Sequence, residues 1–266
     1  MTLDGPARQR TFVRLAADAR ASDHAAVAEE IPVAFVYSGR PHVVMMCSPD
    51  HLEDLAYGFS LTEGIVSAAA EIGQVAQSRH AKGFELAITI PAEAAARLAQ
   101  RTRALAGRTG CGLCGVEAID DAVRAVRPVE SSLSVSTTAL WRAGEELDAH
   151  QSLNHETHAV HAAAWATADG HVVVAREDVG RHNALDKVLG ALARARTDPS
   201  TGFLIVTSRA SFELVQKASA AGVALLAAVS RPTGLAVRIA DESGITLVGL
   251  LRGQTANVYS HPERIT

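Results

Sequence analysis

Apolar and polar positions fall into a readable pattern from residue 30 onward. Ile31 to Val36 and His42 to Cys47 are β-rich runs separated by Tyr37-Ser-Gly-Arg-Pro41, whose Ser-Gly pair and proline predict a hairpin turn. Ser48-Pro-Asp50 offers an N-cap, and the acidic residues and the stripe Leu52, Leu55, Phe59 that follow predict an amphipathic helix ending near Gly64. Phe84 to Ile90 alternates as a strand does, and Ala92 to Ala106 reads as helix from its alanines with Leu98 and Leu105. Before this, residues 1 to 26 mix charge and alanine without a steady period, so they read as a loose lead-in with order beginning near Glu30.

The second half follows a different rhythm. His171 to Ala175, Phe203 to Val206, Ala224 to Val229, Ala236 to Ala240 and Thr246 to Leu251 are short apolar runs that read as strands, with helices at Asn183 to Arg194 and Ser211 to Ala221. Strands alternating with helices of this length predict a layered, partly parallel α/β domain. Between the halves lies the glycine-rich strip Gly107 to Gly115, too permissive for a strand or helix interior. Val116 to Val126 reads as helix, and Pro128 to Ser136 as a polar link. The expected organisation is a lead-in at 1–26, a small α+β domain at 27–107, the cysteine loop with its helix at 108–130, and a larger α/β domain at 131–266.

Composition narrows the function classes. The 266 residues carry 25 Lys+Arg against 29 Asp+Glu, a net charge of −4, which argues against nucleic-acid binding through a broad cationic face. Yet 22 of the 25 bases are arginine, the side chain suited to bidentate capture of phosphate, so local anion sites stay open. No 18 apolar residues run together and the first 20 residues lack a secretory pattern, so the expectation is a cytoplasmic protein with no membrane segment. Three cysteines cannot build a disulfide framework.

Two of those cysteines form Cys111-Gly-Leu-Cys114, with Arg108 close by. Positive charge and loop amides favour the thiolate, the form that attacks sulfur or a metal. The residues alone leave a structural zinc site, a redox pair and a persulfide carrier open. Zinc lacks a second ligand pair at the usual spacing, and the redox reading lacks the expected helix-start context. Cys47 ends an apolar strand and reads as inert and buried.

Arg176-Glu-Asp-Val-Gly-Arg-His-Asn-Ala-Leu-Asp-Lys187 leaves an apolar strand and opens a helix. Such junctions present free backbone N–H groups to anions, and Asp178, Gly180, Arg181, His182 and Asn183 are its candidate ligand contacts. The bland alternative is a solvated turn with Asp186 and Lys187 on an exposed face. Ser208, Arg209 and Ser211 follow the next apolar run, and Arg231, Thr233 and Gly234 the one after. Three such strand ends would line one sheet edge and suggest a nucleotide or phosphate-rich ligand, although neither GxGxxG nor GxxxxGK[ST] occurs. His155, His158 and His161 are spaced for a metal, but HExxH is absent, so they read as surface or site-facing histidines and no metal site is assigned.

These strips, together with Thr109 to Gly115, Asn257-Val-Tyr-Ser-His-Pro-Glu-Arg-Ile265, Glu30 to Ala34 and Leu52 to Phe59, resemble the FdhD family of formate dehydrogenase accessory sulfurtransferases. The resemblance spans nearly everything after residue 27. It implies a larger domain of three α/β/α layers similar to the cytidine deaminase fold, here without deaminase chemistry. The H-x-E motif is missing at His161-Ala-Ala163, and the CxxC precedes it in the chain. It also implies a sulfur relay. A cysteine desulfurase loads Cys111 as a persulfide, Cys114 assists, and sulfur passes to the molybdenum bis(molybdopterin guanine dinucleotide) cofactor destined for formate dehydrogenase. The family's C-terminal cofactor-binding stretch falls on Leu250, Leu251, Arg252, Gly253, Gln254 and Thr255. A homodimer with two equivalent sites, and no zinc, complete the expectation. Its rivals are a cofactor-binding chaperone that transfers no sulfur and a zinc-stabilised nucleotide-binding module.

Overall fold

The computed structural model describes residues 5–106, 126 and 128–266. The cysteine loop and most of the helix expected after it therefore lie outside the described residues.

The first surprise is at the N-terminus. Ala7–Ala16 (β1) and Ala19–Ala28 (β2) pair antiparallel along their full length, where the sequence suggests a loose lead-in. Most side chains of this ribbon are exposed, Leu15 by 73%. With no face to bury, the ribbon carries no alternation for a sequence reading to detect. Backbone pairing and the ion pairs of Arg8 and Arg10 with Glu29 hold its base.

The small unit is a four-stranded sheet in the order β4-β3-β6-β5. Its strands are Ile31–Tyr37 (β3), Arg40–Cys47 (β4), Val75–His80 (β5) and Gly83–Ile88 (β6). β3 alternates strictly, with Ile31, Val33, Phe35 and Tyr37 buried. The hairpin turn shrinks to Ser38-Gly39, both at positive φ, the two-residue type that suits the strand twist. β5 was not expected, because it is an edge strand whose side chains are mostly exposed. Leu52–Thr62 (α1) and Ala92–Ala106 (α2) follow the predicted positions, and Leu52, Leu55, Ala56, Ala94 and Leu98 close the core over the sheet. The cap expected from Ser48 is not made. α1 begins after His51 in a left-handed conformation with no side-chain cap.

The larger unit is a six-stranded sheet in the order β12-β11-β10-β9-β7-β8. Its strands are His161–Thr167 (β7), Val172–Asp178 (β8), Gly202–Val206 (β9), Leu225–Ala228 (β10), Thr246–Arg252 (β11) and Thr255–Ser260 (β12). β9, β10 and β11 are parallel; β7 is antiparallel to both β8 and β9, so β8 runs with the parallel set. Thr137–Ala149 (α3) covers one face through Ala139, Leu140, Ala143 and Leu147. After the short Ser152–Thr157 (α4), the opposite face is covered by Arg181–Ala195 (α5), Phe212–Ala220 (α6) and Gly234–Glu242 (α7). The result is the expected three-layer α/β/α arrangement beside a small α+β unit.

Two local readings change. Ala236 to Ala240 is not a strand but the middle of α7, started by Thr233, whose hydroxyl accepts the Ala236 N–H. Its buried residues Ala236, Ile239 and Ala240 have helical spacing, which five apolar residues cannot reveal in sequence. β7 escapes a sequence reading because it is mostly alanine and buried on both faces, so it does not alternate and its one β-branched residue is the terminal Thr167.

Candidate functional site

Strand direction alone assembles the candidate site. Because β8, β9, β10 and β11 run the same way, their C-terminal ends lie along one sheet edge, together with the starts of β7 and β12. The four strips at 178–183, 208–211, 231–234 and 250–255 therefore share that edge. They are also tied to one another. Thr233 N–H donates to Ala210 O, Leu250 N–H to Ser230 O, and Arg252 Nε to Val229 O.

At the first junction Asp178 is fully buried. Its carboxylate accepts the Ser48 N–H at 3.0 Å, the Gly180 N–H at 2.8 Å and Asn183 Nδ2 at 3.0 Å, and pairs with Lys187 Nζ at 2.6 Å. Lys187 also donates to Ser48 O, and Asn183 Nδ2 to Met46 O. Asp178 and Asn183 thus look inward, onto the corner between β4 and α1. The solvated-face alternative for Asp186 and Lys187 is overturned, since neither has any exposed surface. Asp186 instead accepts from Thr62 Oγ1 at 2.8 Å and pairs with Lys217 at 2.8 Å. Burial pushes its carboxyl up, while Lys217, which also meets Glu63 at 3.2 Å, is held charged by these two acids.

Arg181 and His182 behave differently. α5 starts at Gly180, which provides no side-chain cap, so its first-turn amides are left to an external acceptor. Arg181 Nε is a buried atom without a hydrogen-bond partner among the described residues. His182 Nε2 lies 2.7 Å from Glu213 Oε2, within hydrogen-bond distance, and Arg181 is 3.9 Å from the same oxygen. Burial lowers the His182 pKa and Glu213 opposes that, while Arg181 and Lys217 add to it. His161 joins the cluster from the start of β7, opposite Asp178, and is lowered by burial and then by Arg181.

The other junctions are more open. Arg209, Arg231 and Arg252 are exposed. Ser211 precedes α6 without capping it and reaches Glu213 at 3.5 Å; Ser208 is turned to the Arg209 carbonyl. Leu251 packs into the core below, whereas Gly253 and Gln254 form the exposed turn into β12, closed by Thr255 Oγ1 donating to Arg252 O. Gly234 is exposed at the start of α7. Ser48, Lys187 and Glu213 were not assigned to the site from sequence, and for Ser48 the local signal pointed to a helix cap, while its partners lie some 130 residues away. His155 lies on α4 and His158 is its left-handed C-cap, and no group of three metal-binding side chains forms among the described residues. Cys47 is fully buried, and burial pushes its thiol up to about 12.

A family model described as FdhD/NarQ matches residues 28–266. The chain belongs to the FdhD/NarQ family. Proteins named sulfur carrier protein FdhD are similar over most of their length. One from Xanthomonas axonopodis pv. citri is 53% identical over 239 residues, 90% of this chain and 85% of that protein. One from Bordetella bronchiseptica is 50% identical over 244 residues, 92% and 88%. A crystal structure described as a formate dehydrogenase accessory protein, from Desulfotalea psychrophila, superposes with a TM-score of 0.79 at 24% identity, covering 98% of this chain and 99% of that one. The FdhD/NarQ match begins at the end of the β1–β2 ribbon and takes in both packed units and all four junctions. Cys111 and Cys114 lie within the matched span but outside the described residues. No helix among the described residues is long and apolar enough to cross a membrane.

Proposed function

We propose that the chain is a cytoplasmic sulfur carrier serving formate dehydrogenase maturation, with Cys111 as the sulfur-bearing residue and the sheet edge as the cradle for its cargo. Membership of a family whose relatives are named sulfur carriers supports the first part. The observation that carries the second is the uncapped start of α5, with Arg181 Nε buried and unpartnered beside it and His182 next to Glu213. Buried donors of this kind call for an acceptor, and phosphate oxygens at a helix N-terminus supply one.

The cargo in this reading is the molybdenum bis(molybdopterin guanine dinucleotide) cofactor. Arg181, His182 and the first amides of α5 would take a diphosphate, with the exposed Arg209, Arg231 and Arg252 extending the positive edge. Asp178, Asn183 and Thr233 serve the site from behind, since their polar groups are bound within the protein. Two guanine dinucleotide tails suit a homodimer with two such edges.

Sulfur loading follows thiol exchange. The Cys111 thiolate attacks the outer sulfur of the desulfurase persulfide; a bond forms between that sulfur and Cys111 Sγ, the donor's S–S bond breaks, and the donor cysteine leaves as thiolate. Attack of Cys114 on Cys111 Sγ then expels hydrosulfide toward the cargo and leaves a Cys111–Cys114 disulfide, which a cellular thiol reduces for the next cycle.

Intact-mass measurement after incubation with a cysteine desulfurase and free cysteine tests the carrier. Wild type and Cys114→Ala gain reductant-labile sulfur and Cys111→Ala does not. Absence of gain in both wild type and Cys114→Ala while the desulfurase itself is loaded would overturn it in favour of a cofactor-binding chaperone. Calorimetric titration with GDP tests the cradle, with Arg181→Ala expected to weaken binding.

A further inference from the structure

Ser48 has no role in the relay described above, yet it sits where the small unit meets the start of α5. It is buried, 1% exposed, at the corner between β4 and α1. All of its polar groups are engaged with the junction after β8. Its N–H donates to Asp178 Oδ2, its hydroxyl accepts the Val179 N–H at 3.2 Å, and its carbonyl accepts Lys187 Nζ at 3.1 Å. Next to it, Met46 O accepts Asn183 Nδ2 at 2.9 Å, so two residues of the corner grip both sides of the loop at 179–180.

We propose that Ser48 is a positioning residue for cargo recognition, holding the loop at 179–180 so that the uncapped start of α5 and Arg181 stay aimed at the sheet edge. The proposal rests on reading that edge as the cargo site. Three features carry it. Gly180 closes the loop against Asn183, where a Cβ would lie 2.7 Å from Nδ2, so a side chain here would displace the Asn183 amide. The carboxylate at the centre, Asp178, is satisfied only when the Ser48 corner is in place, because one of its oxygens is otherwise left with Lys187 alone. Just beyond the loop, Arg181 Nε is buried without a hydrogen-bond partner, so the loop's order is spent on a donor that nothing inside the described protein uses. A ligand gains affinity from donors already held in place.

The test uses the full chain with GDP as the probe, by isothermal titration calorimetry at a temperature well below every variant's unfolding transition. Ser48→Ala removes the acceptor for Val179 N–H and is expected to raise Kd about tenfold, equivalent to about 1.4 kcal/mol. Ser48→Thr keeps the hydroxyl and restores affinity to within threefold. Ser243→Ala removes a buried hydroxyl that bonds Ile239 O beyond the far end of α7, and it controls for stability alone, leaving Kd within twofold. Hydrogen exchange at residues 179–182 should accelerate in Ser48→Ala, while sulfur loading at Cys111 stays unchanged. A Kd in Ser48→Ala within twofold of wild type overturns the positioning role while leaving the cargo reading standing. Wild type that binds no GDP at millimolar concentration overturns both. Should Ser48→Ala not fold, exchange in wild type decides: amides at 179–182 as fast as those of the exposed turn at 253–254 overturn the proposal.

Discussion

Gly58 of α1 and Gly190 of α5 meet backbone to backbone where the small unit packs on the larger one. A Cβ on Gly190 would run into the Asp54 carbonyl oxygen and lie 2.7 Å from Gly58 N, and one on Gly58 would run into the Asp186 carbonyl oxygen. In an exposed helix, replacing glycine by alanine stabilises by about 0.5–1 kcal/mol. Here the sign reverses. Gly58→Ala and Gly190→Ala each force the helices apart and are expected to cost about 1–3 kcal/mol. A urea midpoint equal to or above wild type in either variant would contradict the crossing.

Close approach at this crossing also places charges inside it. Lys217 neutralises the fully buried Asp186, with Thr62 and Glu63 completing the group. Lys217→Met leaves a buried carboxylate without its cation, and the expected loss is about 3–5 kcal/mol. Adding Asp186→Leu should recover more than half of that loss, because a missing pair costs less than half of one. Denaturant unfolding of both variants checks this, and a double variant no better than the single one would refute it.

His182 is held neutral by burial, against the pull of Glu213. Its folded pKa lies below the unfolded value of about 6.5. The unfolded chain therefore binds its proton first on acidification, so the stability this residue contributes is full above about pH 6.5 and falls as the pH drops below it. Stability of wild type should decline between pH 7.5 and 5.5, and that of His182→Gln should decline less. Glu213→Gln removes the group that raises the pKa, so the His182 resonance should titrate lower still in an NMR pH series; a move upward would show that Glu213 is not the controlling carboxylate.

Cys47 provides an internal control for sulfur chemistry. Fully buried and with its thiol pushed up to about 12, it has almost no thiolate at neutral pH. Alkylation of the native protein at pH 8 should leave Cys47 unmodified and unfolding in urea should expose it, as read by peptide mass mapping. Labelling of Cys47 at the rate of an exposed thiol would show that the β4 edge opens.

The elements legible in the sequence share a property. β3 alternates, α1 carries a stripe at helical spacing, and β9, β10 and β11 are apolar runs bounded by turn residues. Each signal is contained within ten or so residues. The elements that escaped notice lack it: the β1–β2 ribbon buries almost nothing, β5 is an edge, and β7 is alanine buried on both sides. The α7 segment was misread because five apolar residues fit either period.

For the site the division runs between location and orientation. By itself the sequence determined that three polar strips follow strand ends, which strips carry the arginines, and which family the motifs resemble, the strip at 250–255 coming with that resemblance, since these are properties of residue type and short spacing. Only the tertiary structure decided that Asp178, Asn183 and Lys187 face inward, that Ser48 meets them, that His182 meets Glu213, and that Arg181 keeps an unpartnered donor. A charged side chain becomes a buried anchor or a ligand contact according to the partners that surround it, and at this edge many of those partners arrive from more than 100 residues away along the chain.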